Sequence, residues 1–467
     1  MPKPLTNPFQ LLRGMKDILP ADQPYWLWIF DVVRQAARDY GFERIETPVL
    51  EPTNLFVRGV GEATDIVQKE MYAFVDKNGD NISLRPEYTA GVARAYIEHG
   101  MLNLPQPVKL WYFGPVFRHD RPQAGRYRQF WHFGFEVLGG DQPVLDAQLI
   151  LLQRAICNTL GLETTIQVNS IGDPADRAQY LKALQGFFKT KKSILSDEQK
   201  LLLQKNPFRL LDSKDPAWQE VLNDVPQIVD YLADGPRQHF VQVLEYLDEL
   251  EISYVLNPRL VRGLDYYNRT VWEFWTANDS QGQMSLGGGG RYDGLVELLG
   301  GRPTPAVGYA GGIERLILAM KERNVVTPVE RPEIYLAQLG EPARKKVFKL
   351  FEELRAAGIR VAESLTKDGI KQQLEIANRL GVQYTLIIGH KEMMDGTILI
   401  RDMENGIQEI VDFKKTASEI KKRLEKTKAN GVTPVAGAVK PERFEPLPPV
   451  DEEPTDQAPQ GGSDDSA

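Results

Sequence analysis

Four arginines crowd into the stretch from Arg118 to Arg128 (Arg118, Arg121, Arg126 and Arg128), interleaved with Phe117, Tyr127, Phe130 and Trp131. Guanidinium groups at that density supply forked donors for phosphates, and the aromatic faces can stack on a nucleobase. Apolar runs on both sides of RPQAGRY predict a hairpin whose tip is aimed at an anion; a solvated basic hairpin would carry the same text. In LRPEYTAGVARAY (84–96), Arg85, Glu87 and Thr89 sit where a strand end opens into a helix. A carboxylate and a hydroxyl there can receive an ammonium group, or can simply cap the helix. In LVRGLDYYNRTVWEF (260–274), Arg262 could hold a carboxylate or phosphate while Tyr266 or Tyr267 addresses a polar ligand. The plain structural alternative is a buried Arg262–Asp265 ion pair. Between 285 and 320, Gly287 to Gly290 and Gly308, Gly311 and Gly312 let backbone approach a ligand closely. Arg315, in the first turns of the helix that follows, complements an anion better than it complements the helix dipole.

These segments together bind an ammonium, a carboxylate, phosphates and a flat base, an inventory that fits an amino acid plus ATP. No metal site is expected: His99, His119, His132, His239 and His390 are scattered, and none stands at helical ligand spacing with another. No Ser-His-Asp or Cys-His nucleophile arrangement is visible, nor GxxxxGK[ST], nor GxGxxG after a strand.

The elements that must position these residues read as follows. Residues 26–40 place Ile29, Val32, Val33, Ala36 and Ala37 at helical spacing before Gly41. RIETPVLEP predicts a strand broken by Pro48 and Pro52. NISLRP, PVKLWYFGPVF and RQFWHFGFEVLG suit adjacent antiparallel strands. From about 173 to 250 the text turns to charged amphipathic helices, with Phe240, Val243, Leu244 and Leu247 on one stripe, which predicts a helical insertion. Strand-like, Gly-rich text resumes at Ser253. After the linker ERNVVTPVERP, strands EIYLAQL, IRVAES and QYTLIIG alternate with two helices in a compact α/β module. There is no internal repeat.

The chain has 467 residues, 42% of them hydrophobic, enough for sizeable cores and more than one domain. The single cysteine, Cys157, cannot form an internal disulfide and points to a reducing compartment. No apolar run is long enough to span a membrane, and the N-terminus lacks a signal-peptide core, so a soluble cytoplasmic protein is expected. A net charge of −8 ordinarily weighs against a nucleic-acid partner. Its distribution removes the objection. From Gly431 onward eight acids and seven prolines face only Lys440 and Arg443, which predicts a disordered tail, whereas residues 331–430 carry 19 bases against 15 acids.

Over about residues 10–425 the chain resembles the histidyl-tRNA synthetases, a class II aminoacyl-tRNA synthetase family. RGMKDILP (13–20) and VGEATDIVQKEMYAF (60–74) are family-like, and YGFERIETPVLE (40–51) is similar to motif 1, the dimerisation element. FRHDRPQAGRYRQF (117–130) is similar to motif 2 and AVGYAGGIERL (306–316) to motif 3. RGLDYYNRTVWE (262–273) and GGRYDGL (289–295) resemble the two signatures particular to the histidyl enzymes.

The resemblance implies an α+β fold: a class II antiparallel sheet with flanking helices and a helical insertion at about 173–250 within a catalytic domain at 1–325. An α/β anticodon-binding domain at 331–425 and the acidic tail at 430–467 follow. It implies activation of histidine with ATP to histidyl-adenylate, transfer to the 3′ end of tRNA(His), Mg²⁺ bound through the ATP phosphates, and a homodimer with no membrane association. Glu87 and Thr89 would hold the substrate ammonium. Glu136 and Tyr267 would face the imidazole, with Arg118, His132 and Tyr266 also lining the histidine site. Arg262 and Arg118 would be the catalytic cations, Arg262 on the carboxylate and α-phosphate. Arg118, Asp120, Arg126 and Arg315 would bind ATP. A site that hydrogen-bonds both imidazole nitrogens needs no editing domain, so the insertion is expected to contact the tRNA acceptor arm. The chain departs from the family pattern at His132, where glutamine is usual, at Asp120, where FRxE has glutamate, and in a longer stretch before RYDGL. The regulatory subunit of ATP phosphoribosyltransferase, a non-catalytic relative, generally lacks the anticodon domain and the full histidyl signature. A pseudo-synthetase like that of the translation-factor kinases fits poorly with the retained Arg118, Arg262 and Arg315.

Overall fold

The computed structural model describes residues 9–123, 125–191, 195–205, 207–211, 216–277, 285–328 and 331–429. The acidic tail expected to be disordered lies outside them. The chain divides into two units, Met1–Pro328 and Val329–Ala467.

In the first unit, α1 (Gln23–Asp39) begins with a proline in its first turn and buries Trp26, Ile29, Val33 and Ala37. It starts earlier than the apolar spacing alone predicts because proline at a helix start loses no hydrogen bond. RIETPVLEP divides between two sheets, as β1 (Glu43–Arg44) and β2 (Leu50–Pro52), since Pro48 between them cannot donate to a ladder, while Pro52 ends the second strand. After α2 (Thr53–Val60), strands β3 (Ala73–Val75) and β4 (Asn81–Leu84) complete a small sheet in the order β2-β4-β3. Next come α3 (Thr89–Glu98) and a long hairpin of β5 (Val108–Phe117) and β6 (Gln129–Leu138), paired from Val108–Leu138 to Phe117–Gln129.

Helix α4 (Pro143–Thr159) and β7 (Thr164–Ser170) lead into the helical block, α5 (Pro174–Thr190), α6 (Asp197–Lys205), α7 (Pro216–Leu222) and α8 (Asp234–Glu249). The block is not set apart from the sheet. Phe240, Val243 and Leu247 of α8 enter the core formed by α1, α4 and one sheet face, while Tyr180, Leu184 and Phe188 of α5 join the core on the other. Strands β8 (Val255–Leu256), β9 (Asn268–Thr276) and β10 (Ser285–Arg291), α9 (Leu295–Leu298), β11 (Ala306–Gly312) and α10 (Ile313–Glu322) finish the unit.

The main sheet runs β1-β5-β6-β11-β10-β9-β7-β8. Its interior pairs are antiparallel, as expected of an α+β class II sheet, and one short parallel strand closes each edge.

The second unit is β12 (Ile334–Gln338), α11 (Glu341–Ala356), β13 (Val361–Glu363), α12 (Ile370–Leu380), β14 (Tyr384–Ile388), α13 (His390–Asp395), β15 (Thr397–Asp402), β16 (Gln408–Asp412) and α14 (Thr416–Ala429). Its sheet, β13-β12-β14-β15-β16, is parallel over the three strands expected from sequence and antiparallel beyond them. The hairpin β15–β16 is absent from the sequence reading because β16 is mostly exposed and carries no apolar alternation.

Candidate active site

Glu136 lies on β6 in register with Gly308 of β11, 1% exposed. Its Oε1 accepts hydrogen bonds from the Thr89 hydroxyl at 2.7 Å and the Tyr112 hydroxyl at 3.3 Å, and its Oε2 accepts one from Tyr292. Burial raises its carboxyl to about 8; the three hydroxyls pull the other way without prevailing, and nearby Glu87 adds to the rise.

The capping alternative for Glu87 is realised. Its carboxylate accepts from the backbone N–H groups of Thr89 (2.5 Å) and Ala90 (3.0 Å), the first residues of α3. The Thr89 hydroxyl is left for Glu136. Tyr266 and Tyr267 are buried alongside, their ring centres 4.6 Å apart, and Tyr266 meets Tyr292 edge-on at 5.6 Å.

Arginines gather next to these groups. Arg262 ion-pairs with Glu273 of β9, not with Asp265, and its guanidinium lies 5.5 Å from the Tyr267 ring centre. The Asp265 N–H bonds to the Val60 carbonyl at 3.0 Å, and the Asp265 carboxylate charge acts on Arg177. Arg118 Nε donates to the Pro86 carbonyl at 2.9 Å, and its guanidinium sits 5.5 Å from the centre of Phe130. Arg315, in the first turn of α10, donates to the Ser285 carbonyl at 2.8 Å and faces the charges of Arg126 and Arg118. The His132 imidazole lies within the field of Arg118, Arg315 and Arg262. Burial first, and those three cations with it, hold its pKa well below the usual 6.5, so the ring is neutral at physiological pH. The remaining pair stands at the hairpin tip, where Arg126 Nη1 meets Asp120 Oδ2 at 3.2 Å.

The glycines make room for side chains. A Cβ on Gly308 would fall 1.7 Å from Glu136 Oε2, and one on Gly288 would fall 2.6 Å from Arg262 Nη1. Bare backbone on β10 and β11 is therefore the space in which the functional carboxylate and guanidinium lie, before any ligand is considered.

The fold thus brings Glu87, Thr89, Arg118, His132, Glu136, Arg262, Tyr266, Tyr267 and Arg315 onto one region of the sheet, with Asp120 and Arg126 at its tip. Sequence reasoning missed Tyr112, Tyr292 and Glu273. Tyr112 is hidden in an apolar run, Tyr292 stands in the quoted GGRYDGL without an assigned contact, and Glu273 has no local signal. Among the described residues no group of three or more His, Cys, Asp or Glu side chains could hold a metal ion, and no helix is long and apolar enough to cross a membrane.

Such a site can bind a small zwitterion with a polar ring at one end and a polyphosphate at the other. The model of the histidyl-tRNA synthetase family matches residues 14–172 and 178–316, and the anticodon-binding-domain model matches 325–423. A histidine–tRNA ligase of Pelotomaculum thermopropionicum is 45% identical over 401 residues, covering 85% of this chain and 94% of the relative. One from Dehalococcoides mccartyi is 44% identical over 418 residues, covering 89% and 100%. The crystal structure of apo S. aureus histidyl-tRNA synthetase superposes with a TM-score of 0.74 at 34% identity, covering 88% of this chain and all of that one.

Proposed function

The chain belongs to the histidyl-tRNA synthetase family, and from that premise we propose how its own residues divide the work. The reaction is ATP-dependent: histidine is activated to histidyl-adenylate with release of pyrophosphate, then transferred to the 3′ end of tRNA with release of AMP.

The observation that carries the assignment of roles is the contact between Thr89, Glu136 and Tyr292 beside the arginine cluster. Glu87 and Thr89 receive the histidine ammonium, and Glu136 with Tyr267 grips the two imidazole nitrogens, with Tyr266 and His132 completing the pocket. The substrate carboxylate then lies toward Arg262. One of its oxygens attacks the ATP α-phosphorus, and the bond to the pyrophosphate oxygen breaks on the opposite side. Arg262 spans the carboxylate and the α-phosphate; Arg118 and Arg315 take up charge that grows on the phosphates. No covalent enzyme intermediate is needed, because alignment and fixed cations supply the acceleration. Asp120 orients Arg126 toward the distal phosphates. Mg²⁺ would be held by the ATP phosphates and would supply charge neutralisation there. Among the described residues no group of three or more His, Cys, Asp or Glu side chains could hold it directly, so the phosphates would be its ligands and the guanidinium groups would share their charge.

The reading extends to the whole chain. We assign residues 1–325 to catalysis, the block at about 173–250 to the tRNA acceptor arm, and 331–425, with its local excess of bases, to the anticodon of tRNA(His). A homodimer formed through the motif 1 segment rests on the family resemblance of residues 40–51, and the exposed Leu50 on β2 would lie within that interface. The cytoplasm is the compartment in which uncharged tRNA is found and in which a lone thiol such as Cys157 stays reduced. The deciding experiment is histidine-dependent ATP–pyrophosphate exchange followed by aminoacylation of tRNA(His). Folded protein without exchange would overturn the enzymatic reading, and sedimentation as a monomer at micromolar concentration would overturn the dimer.

A further inference from the structure

The backbone that carries the two pocket tyrosines is held from outside the pocket, by the start of the helical block. Arg177, in the first turns of α5, donates from Nη1 to the Tyr267 carbonyl oxygen at 3.0 Å, with the charges of Asp265 and Asp173 close by. The Asn268 amide reaches Asp173 Oδ1 at 3.3 Å and Asp293 Oδ2 at 2.9 Å. Arg269 forks onto the Asp173 carboxylate, Nε to Oδ1 at 2.9 Å and Nη2 to Oδ2 at 3.0 Å. Its φ is +49°, a left-handed conformation that a side chain of this size adopts only when its surroundings impose it. The main chain is pinned as well: Arg269 N donates to the Gly172 carbonyl at 2.9 Å, and Ile171 N donates to the Arg269 carbonyl at 2.8 Å. Residues 267, 268 and 269 are thus each bonded to the 171–177 stretch.

We propose that Arg177 is a positioning residue for histidine binding, holding the Tyr267 backbone so that its ring meets the imidazole. The proposal rests on the reading that Tyr267 faces the imidazole. Asp173 and Arg269 fix the turn that follows Tyr267; Arg177 fixes Tyr267 itself. Removing Arg177 leaves the Arg269–Asp173 fork in place, so it is the residue to test. The same geometry makes the docking of α5, the first helix of the block assigned to the acceptor arm, a determinant of histidine affinity.

The experiment is pyrophosphate exchange on the full-length chain with Arg177→Met, Arg177→Lys, Tyr267→Phe, Tyr267→Ala and the double variant Arg177→Met/Tyr267→Ala. Arg177→Met is expected to raise the KM for histidine roughly tenfold, the lower end of what is lost when a partner that orients a binding group is removed. The KM for ATP stays within about twofold and kcat changes less than the histidine KM. Arg177→Lys, which keeps a donor, recovers part of the loss. In the double variant the effect of Arg177→Met on the histidine KM disappears, because the residue through which it acts is gone. Equal effects in both backgrounds, or a loss of folded protein with normal KM in what remains, would overturn the proposal. If neither Tyr267 substitution alters the histidine KM, the imidazole reading of Tyr267 fails instead, and the two failures are distinguishable.

Discussion

The Thr89 hydroxyl donates to Glu136 across 2.7 Å, joining the first residue of α3 to the C-terminal end of β6. A carboxyl that holds its proton up to about 8 is thereby fixed at the end of the site proposed to take the imidazole. The imidazole of free histidine loses its proton near 6.5. In the proposed complex, carboxyl and imidazole would share one titratable proton, whichever of them held it.

The histidine KM should therefore be lowest between about pH 6.5 and 8. Above 8, free Glu136 is ionised and binding must take up a proton. Below 6.5, free histidine is an imidazolium and binding must release one. Each limb should steepen toward tenfold per pH unit. Glu136→Gln should remove the part of the upper limb that begins near 8 and belongs to Glu136, leaving only the loss of the substrate ammonium's own proton. A wild-type histidine KM that does not change from pH 7 to 9 would contradict this account of Glu136.

Arg262→Lys keeps the charge and loses the fork. Lysine is a compact point charge that cannot span a carboxylate and a phosphate together. Its removal from the developing charge should cost about 10²–10³ in kcat, the range for one preorganised donor. The ATP KM should move less than threefold. Single-turnover adenylate formation measures the step directly, and an unchanged rate would remove Arg262 from catalysis.

Much of this was legible in the sequence. The β5–β6 hairpin follows from two aromatic-rich runs around RPQAGRY, and α1 from its 3.6-residue periodicity. The arginines stand out by density alone. What surrounds Glu136 was not legible, because its hydroxyl donors lie 24, 47 and 156 residues away in the chain and only the fold of the sheet brings them together. Nor could spacing reveal that Arg262 chooses Glu273 over the nearer Asp265. The helical block reads as an insertion because its charge pattern is that of amphipathic helices, and that pattern does not say what their apolar faces meet. The buried stripe of α8 faces α4 and the sheet, a partner no local pattern names.

His132→Gln should leave kcat within about threefold and move mainly the histidine KM. The His132 ring is neutral amid three arginines, so an uncharged amide keeps its donor and acceptor without altering the local charge. Loss of turnover with unchanged histidine affinity would show that His132 acts in the transition state instead.

Gly308→Ala should abolish histidine binding, since the new methyl would overlap Glu136 Oε2 at 1.7 Å. The cost of such overpacking is about 1–3 kcal/mol of stability, little enough that the protein remains folded. Equilibrium dialysis with histidine checks it, and retained affinity would mean that Glu136 can swing aside.

Arg291 and Asp146 are both fully inaccessible, and the guanidinium satisfies two carboxylates and the Gly140 and Gln142 carbonyls while also touching His239. Burial alone would raise the Asp146 pKa; Arg291 and His239 override it and hold it below the ordinary value. The stabilisation is thus present above the unfolded pKa and is lost as pH falls through the folded one. Arg291→Met strands a carboxylate in the core, which costs about 3–5 kcal/mol and should lower the thermal midpoint by about 10 °C. Arg291→Met with Asp146→Leu removes both charges, so the pair should cost less than Arg291→Met alone, with the gap widest at neutral pH and closing in acid. Additive losses would mean that the two residues contribute by packing and not as an ion pair.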